Sequence, residues 1–157
     1  MSLNNQFISK IDEYKNLINK VVFLYADNTE DRDDLRQEII SHAWRSYKSF
    51  RGEAKFSTWL YRIAMNVSIT FIKQHKKRKE LDISDQIGAD YISNESDLLE
   101  RILRMLNPIE KSIVLLQIEG YRQPEIAEML GLSEINTRTK IHRIRKKLKD
   151  HGVDRIT

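Results

Sequence analysis

Residues 123–133 read QPEIAEMLGLS, and this stretch decides the fold of the C-terminal part of the chain. Pro124 suits the first position of a helix, because proline lacks the backbone N–H that would have no partner there. Gly131 can adopt the left-handed conformation that ends a helix, and Ser133 can cap the next helix by accepting a backbone N–H. A short helix, a glycine turn and a second helix together predict a helix-turn-helix.

The second helix of this motif separates apolar from basic side chains. At about 100° per residue, its inward side carries Thr137, Ile141, Ile144 and Leu148. Its outward arc and flanks carry Arg138, Thr139, Lys140, His142, Arg143 and Lys146, and further lysines follow at Lys147 and Lys149. Such side chains bind guanine edges and phosphates in a major groove. We therefore favour DNA binding by this outward arc over the alternative of a solvated basic helix without a ligand.

The composition excludes several other classes of protein. The 157 residues include 40% hydrophobic and 32% charged side chains with only five Gly and two Pro, which favours one or two small helical domains. Without Cys, the chain has no disulfide framework, thiolate nucleophile or Cys-based zinc site. Its apolar stretches are much shorter than the about 20 residues that span a bilayer, and no signal-peptide block is visible. We expect a cytoplasmic all-α protein with no membrane insertion of its own, no metal and no cofactor.

The net charge of +4 conceals two basic clusters. Residues 73–80, with the sequence KQHKKRKE, carry a net charge of +4, and residues 133–157 carry +5. Between them, residues 81–110 carry −5. Two basic patches that each close an amphipathic helix indicate two separate footprints on a polyanion.

Apolar residues also recur at helical spacing outside this motif. The pattern predicts helices over residues 7–22, 35–47, 57–77, 98–106, 109–118, 124–130 and 135–148. An acidic turn at residues 27–34 precedes the second of these helices, and Gly52 interrupts the chain after it. Residues 81–96 are acidic and without a sustained period, so we interpret them as a flexible linker between two small helical domains, residues 1–80 and 97–157.

The third predicted helix combines a core face with a polar stripe. The core face carries Phe56, Leu60, Ile63, Ala64, Val67 and Phe71, and the stripe carries Trp59, Arg62, Asn66 and Lys73. A stacking ring, cations and an amide that can read a base edge are suited to hold unpaired bases. Trp59 has a second possible role as part of the core. Met65 and Ile69 are expected on the side away from the core.

Two segments resemble the bacterial sigma factors. Residues 34–66, which include the run FRGEAKFSTWLYRIAMN, closely resemble region 2, most of all that of the extracytoplasmic-function (ECF) subfamily. Residues 98–148 are similar to region 4, including Asn107-Pro108 and the run KIHRIR at 140–145. The resemblance implies a protein that joins core RNA polymerase, directs it to promoter DNA and helps to open the duplex, while the polymerase performs the chemistry. It also implies an anti-sigma factor as a partner.

The resemblance assigns roles to individual residues. Asp34, Gln37 and Glu38 match the segment that docks on core polymerase. Arg51, Lys55 and Phe56 lie in the loop that matches the family segment capturing an extruded base of the downstream promoter element. The polar stripe of the third helix, Trp59, Arg62, Asn66 and Lys73, would bind the same element as it melts. The outward arc of the second helix-turn-helix helix would bind the upstream element. The residues alone also allow a simpler role for Asp34 and Glu38, because acidic side chains at a helix start favour the positive end of its dipole.

Two departures from the family pattern concern the helix-turn-helix. Arg122-Gln123-Pro124 stands where a Ser commonly opens the first helix, so that cap must be made differently. Asn136-Thr137 stands where Thr-Val is common; Thr137 then lies inward at a mild loss of apolar packing, while Asn136 can add a polar contact.

Two other functions compete with this interpretation. A helix-turn-helix regulator that does not bind polymerase would share the basic helix, but the run from Asp34 to Asn66 argues against it. A hydrolase or metalloenzyme is not expected, since the four histidines lie in different segments and no HExxH is present.

Overall fold

The computed structural model describes the backbone of residues 2–81 and 96–152, and the side chains of residues 2–77 and 101–152. Every regular element in these ranges is a helix, which confirms the all-α prediction. The chain divides into two compact units, Met1–His75 and Lys76–Thr157. Most of the predicted linker lies outside the described residues, and its two ends, Leu81 and Ser96, are helical. Within the described part, no helix is long and apolar enough to cross a membrane.

The first unit contains α1 (Leu3–Glu13), α2 (Lys15–Tyr25), α3 (Thr29–Tyr47) and most of α4 (Phe56–Leu81). The prediction of a single helix over residues 7–22 is wrong, because α1 and α2 are separated at Tyr14, whose φ is −105° and ψ is 21°. The Tyr14 N–H still bonds to the Lys10 carbonyl at 3.0 Å, and the Leu17 N–H bonds to the Tyr14 carbonyl at 3.1 Å. The break therefore preserves the apolar spacing on which the prediction rested.

Helix α3 begins at Thr29, six residues before the predicted start at Leu35. Asn28 caps it, and its Oδ1 accepts the Asp31 N–H at 2.8 Å. The predicted turn over residues 27–34 is thus mostly helix. Asp34 and Glu38 lie in the second and third turns of α3, beyond the first turn in which the helix dipole acts. The simpler role of acidic side chains at a helix start does not apply to them.

The core face of α4 in the first unit is rotated from the expected one: Phe56, Leu60 and Ala64 are buried as predicted, but Tyr61 and Met65 are buried as well. This first core is built mainly from α2, α3 and α4. Its fully buried large side chains are Ile18, Val21, Val22, Leu35, Ile39, Leu60 and Met65. The prediction that Met65 lies away from the core is wrong, and Ile69 is half-buried. The cause is Ser68, which is buried in the middle of this face and donates its hydroxyl to the Ala64 carbonyl at 2.7 Å. The prediction placed only apolar residues on the core face of α4. It therefore missed the buried serine and put the centre of the face at the wrong position.

The second unit contains α5 (Ser96–Met105), α6 (Pro108–Ile118), α7 (Gln123–Leu130) and α8 (Glu134–Asp150). Gly131 ends α7 with φ 69°. The Ser133 hydroxyl oxygen accepts the Asn136 N–H at 3.0 Å and so caps α8. These contacts confirm the predicted helix-turn-helix, with Pro124 at the second rather than the first position of α7.

Candidate nucleic-acid interface

The outward face of α8 carries the basic side chains that the sequence predicts there. Thr137, Ile141, Ile144 and Leu148 are buried on its inner side. Its outer side exposes Arg138, Thr139, His142, Arg143 and Lys146, while Lys140 on the flank is half-buried. The inner side holds the helix against its own unit, so the donors and cations remain available to an anionic partner.

Thr137 fits the inward position better than its polarity suggests. The side chain is completely buried, and its hydroxyl donates to the Ser133 carbonyl at 2.9 Å. Because this hydroxyl is hydrogen-bonded within the helix, its burial leaves no unpaired donor. The adjacent Asn136 side chain is exposed.

Lys147, although basic, is held by its own unit. Its Nζ lies 2.8 Å and 3.0 Å from the two carboxylate oxygens of Glu110, whose side chain is only 5% exposed. Glu110 Oε1 also accepts the Asn107 N–H at 2.9 Å, while Asn107 Oδ1 accepts the Glu110 N–H at the start of α6. This ion pair ties α8 to α6, so Lys147 differs from the other lysines near the end of α8.

The cap of α7 is supplied from inside the helix. Glu125 Oε1 accepts the Arg122 N–H at 3.1 Å, whereas Arg122 itself gives no side-chain cap of the kind that a Ser would give. The Arg122 side chain remains exposed at the entry of the helix-turn-helix.

In the first unit, α4 displays the predicted polar stripe. Arg62, Asn66 and Lys73 are exposed on the side opposite the buried Leu60 and Ala64. This geometry places two cations and an amide along one line of the helix. It provides donors for phosphates and for a base edge without any rearrangement of the core.

Trp59 lies where the polar stripe meets an aromatic cluster formed by Phe7, Tyr14, Trp44, Tyr47, Phe50, Phe56 and Trp59. Its ring centroid is 5.0 Å from that of Phe50 and 5.3 Å from that of Phe56. The side chain is half-buried. Part of the Trp59 side chain therefore packs in the cluster, and the rest of it reaches the surface.

The segment before α4 exposes its charged residues and buries its aromatic one. Arg51 and Lys55 are exposed, and Gly52 has φ 76°, which favours glycine. Phe56, expected at the downstream element, is only 8% exposed, and its ring lies 5.1 Å from that of Tyr14. The Phe56 ring packs against the Trp59 ring, and its assignment to the downstream element stays a prediction.

The residues expected to dock on polymerase share the outer face of α3. Asp34, Gln37 and Glu38 are exposed, whereas Leu35 and Ile39 on the inner face are completely buried. In the described contacts, neither the Asp34 nor the Glu38 carboxylate forms an ion pair with another helix. Glu38 has one weak approach within α3, to His42 at 3.9 Å.

The histidines do not form a site together. His75 Nε2 lies 3.1 Å from Asp31 Oδ1, and its ring stacks on Phe71 at 4.5 Å, so it joins α4 to the start of α3. Among the side chains that the structure describes, no group of three or more His, Asp and Glu is arranged to hold a metal ion.

Both units match families of transcription initiation factors. Residues 11–78 match Sigma-70 region 2, and residues 96–148 match Sigma-70 region 4. The ECF RNA polymerase sigma factor SigW of Bacillus subtilis is 30% identical over 92% of this chain and 89% of its own length. The ECF RNA polymerase sigma-E factor of Haemophilus influenzae is 28% identical over 89% of this chain and 84% of its own length.

Solved structures have the same fold. The sigma factor RpoE from Bartonella quintana, in complex with the anti-sigma factor NepR, matches with a TM-score of 0.72 and 22% identity, over 96% of this chain and 99% of that one. CnrH, in complex with the cytosolic domain of CnrY, matches with a TM-score of 0.66 and 23% identity, over 94% and 87%. Since both regions match in order and a relative is 30% identical over nearly the full length, the chain belongs to the ECF subfamily of the sigma-70 family of RNA polymerase sigma factors.

Proposed function

We propose that the two units of this sigma factor act on different parts of the promoter. The second unit binds the upstream element as a duplex, and the first unit docks on core RNA polymerase and holds the downstream element as it opens. The observation that carries this proposal is the outer face of α8, where exposed donors and cations lie opposite a buried inner side. That inner side consists of three aliphatic residues and one Thr whose hydroxyl is hydrogen-bonded within the helix. A recognition helix needs this separation to enter a major groove.

The upstream contacts are proposed to differ along α8. Arg138 and Thr139 lie toward its N-terminal end, which in this motif reaches the base edges. His142 and Arg143 follow one turn later, and Lys146 lies nearer the C-terminal end, where a cation suits a phosphate. Lys140 is half-buried on the flank and is proposed to contact the backbone of the DNA.

The downstream contacts are proposed to come from α4 and the segment before it. Arg51 and Lys55 would bind phosphates, and Arg62, Asn66 and Lys73 would follow one separated strand along the stripe. The exposed part of the Trp59 ring would stack on an unpaired base. This surface suits single strands because every base has a face that can stack, whatever its identity.

Docking on polymerase is proposed for Asp34, Gln37 and Glu38. Their position in the interior of α3 leaves them no capping role, so two exposed carboxylates and an amide remain available for a partner. A basic surface on core polymerase would match them by charge, which favours fast and specific association.

Regulation and location follow from the same proposal. One similar solved structure contains the sigma factor RpoE with the anti-sigma factor NepR, and the other contains CnrH with the cytosolic domain of CnrY. We propose an anti-sigma factor as a partner of this chain also. A protein that acts at chromosomal promoters must be in the cytoplasm, and we propose that location for this chain. The polymerase forms the bonds, so this chain needs no catalytic group or cofactor of its own.

The test is run-off transcription with core polymerase on genomic fragments, with and without this chain. We expect new transcripts with defined starts that appear only when the chain is present. Core polymerase that fails to bind the chain, or that gives the same transcripts without it, would contradict the proposal and would favour a regulator that acts without joining polymerase.

A further inference from the structure

Ile135 is an apolar side chain in an unexpected place. It is 75% exposed, more than the other exposed large apolar side chains in the described part of the chain, of which Ile118 follows at 59%. It stands in the first turn of α8, where a β-branched residue brings no advantage for helix formation. The helix itself therefore gives no reason for an exposed Ile at this position.

The position of Ile135 relates it to the proposed DNA face. Residues 135, 138, 139 and 142 are separated by three, four and seven positions, so their side chains form one stripe on a helix. Arg138, Thr139 and His142 are exposed, and the stripe lies opposite the buried Thr137, Ile141 and Ile144. Ile135 is thus the N-terminal member of the basic stripe, at the end of the helix that reaches base edges in this motif.

Thr139 adds a second apolar group beside Ile135. Its hydroxyl donates to the Ile135 carbonyl at 3.0 Å, one turn back along the helix. This hydrogen bond uses the only hydrogen that the Thr139 side chain can donate. Thr139 therefore offers an outside partner its methyl group and its oxygen lone pairs, but no donor.

We propose that Ile135, together with the Thr139 methyl group, forms an apolar contact for the C5-methyl group of one thymine in the upstream promoter element. Among the groups that base pairs present in the major groove, the thymine methyl is the apolar one, and it pairs with aliphatic side chains. Flanking cations hold the phosphates, so an apolar contact in their midst selects the base rather than adding charge. This inference rests on the proposed function, because it requires α8 to lie in the groove.

The test removes one methyl group from the DNA at a time. The full chain is assembled with core polymerase, and binding is measured by filter retention on duplexes that carry the upstream element. Each thymine of the element is replaced in turn by deoxyuridine, which lacks only the C5-methyl group. We expect one replacement to weaken binding by about fourfold, the value of one buried methyl group.

The variant Ile135→Ala identifies the side chain that senses this methyl group. Alanine is the best helix former, so α8 should persist. On the thymine duplex the variant should bind several-fold more weakly than the parent. The deoxyuridine replacement that affects the parent should affect the variant clearly less, because only the Thr139 methyl group then remains at the contact. Ile118→Ala is the matched control, since it truncates another exposed Ile in the same unit and should leave the parent's response to deoxyuridine unchanged.

Three outcomes would overturn the inference. In the first, no deoxyuridine replacement weakens binding by the parent. In the second, Ile135→Ala keeps the parent's full response to deoxyuridine, or binds every duplex equally less well, which would make Ile135 a contact of the DNA backbone or of another protein. In both cases the proposed function still holds if the parent protein binds the upstream element more tightly than a scrambled duplex. In the third, the parent shows no such preference, and the proposed function fails as well.

Discussion

Arg138 and Lys146 carry the same charge on the same face of α8, yet their places along the helix predict different roles. Arg138→Ala should relax the preference for one base of the upstream element, at a cost of about 1–3 kcal/mol against the best base. Lys146→Ala should weaken binding to all sequences alike and lower the salt slope by about one unit. Titrations of single-base promoter variants at two salt concentrations measure both effects. A uniform loss of affinity for Arg138→Ala would make it a phosphate contact and would shift α8 in the groove.

Lys147 and its neighbour Lys146 offer a second comparison at the scale of single residues. Lys147→Ala leaves the Glu110 carboxylate buried without its cation, which is costly in a fully buried pair. The Lys147 side chain is 43% exposed, so water compensates in part, and we expect a loss of about 1–2 kcal/mol. Backbone amides of α6 and α8 should then exchange hydrogen about 10-fold faster. Lys146→Ala is the control, and equal exchange in both variants would show that the ion pair stabilises nothing.

At this scale the sequence predicts exposure better than it predicts partners. The buried Ile141 and Ile144 and the exposed His142 and Arg143 follow from a local period of 3.6 residues. Lys147 follows the same period, but its partner Glu110 lies 37 positions earlier in the chain. A local pattern gives no information about residues so far apart in the chain. From the sequence alone, Lys147 therefore resembles any other exposed lysine, and its ion pair is visible only in the folded structure.

Among the elements, α3 supports a prediction about docking. Asp34→Lys combined with Glu38→Lys should weaken binding to core polymerase by about 10-fold or more, because two favourable charges become repulsive. Helical content should be retained, since neither residue lies in the first turn or pairs closely with another helix. Affinity measurements with purified core polymerase, together with circular dichroism, test both statements.

The matched control for α3 is Asp12→Lys combined with Glu13→Lys on α1. It changes the net charge by the same amount at two exposed positions outside the proposed docking face. If both double variants bind core polymerase equally well, or if both lose the same affinity, the assignment of the docking face to α3 is wrong.

Helix α4 supports a prediction about promoter opening. Arg62→Ala or Asn66→Ala should remove one hydrogen bond to the separated strand, worth about 1 kcal/mol, and so reduce open complexes about fivefold. Binding of the upstream duplex should change little, because that contact is proposed for α8. Permanganate footprinting on a cognate promoter reports unpaired thymines directly. Asn16→Ala, an exposed amide on α2, is the control, and unchanged thymine reactivity in the α4 variants would remove this helix from the opening step.

The ends of the elements were predictable only where a particular side chain marks them. Gly131 and Ser133 mark the turn of the helix-turn-helix and were assigned correctly. Asn28 marks the start of α3 equally well. The acidic residues after it belong to the first turns of the helix, but a polar, acidic run also resembles a loop, so the sequence was interpreted as a turn. Tyr14 carries no such mark, since its ring and its hydrogen bonds are compatible with either a continuous helix or a break.

For the whole molecule, the division into two units predicts that each keeps its own fold when the connection is cut. A protease site inserted between residues 88 and 89 should allow cleavage with little loss of helical signal. Run-off transcription should fall strongly, because the connection keeps the second promoter contact at a high effective concentration once the first is made. Full activity after complete cleavage would show that polymerase alone aligns the two units.

The two-domain organisation was predictable for a simple physical reason. Each half has enough apolar residues at helical spacing to form a core, whereas residues 81–96 have no such period. The core face of α4 was predictable only in part: Leu60 and Ala64 are buried as expected, but the buried Ser68 was not foreseen. Its hydroxyl is hydrogen-bonded within its own helix, so it can occupy a place where the pattern expects an apolar side chain.

The aromatic cluster gives the chain a built-in optical probe of one unit. The chain has two tryptophans, and both Trp44 and Trp59 lie in this cluster. Tryptophan emission from the intact protein therefore originates in the first unit alone, and the second unit is silent at these wavelengths. A base that stacks on the exposed part of Trp59 would quench part of the emission, while Trp44, packed on Phe7 at 5.1 Å, would serve as an internal reference. Strand capture by the first unit can thus be followed in real time without a label.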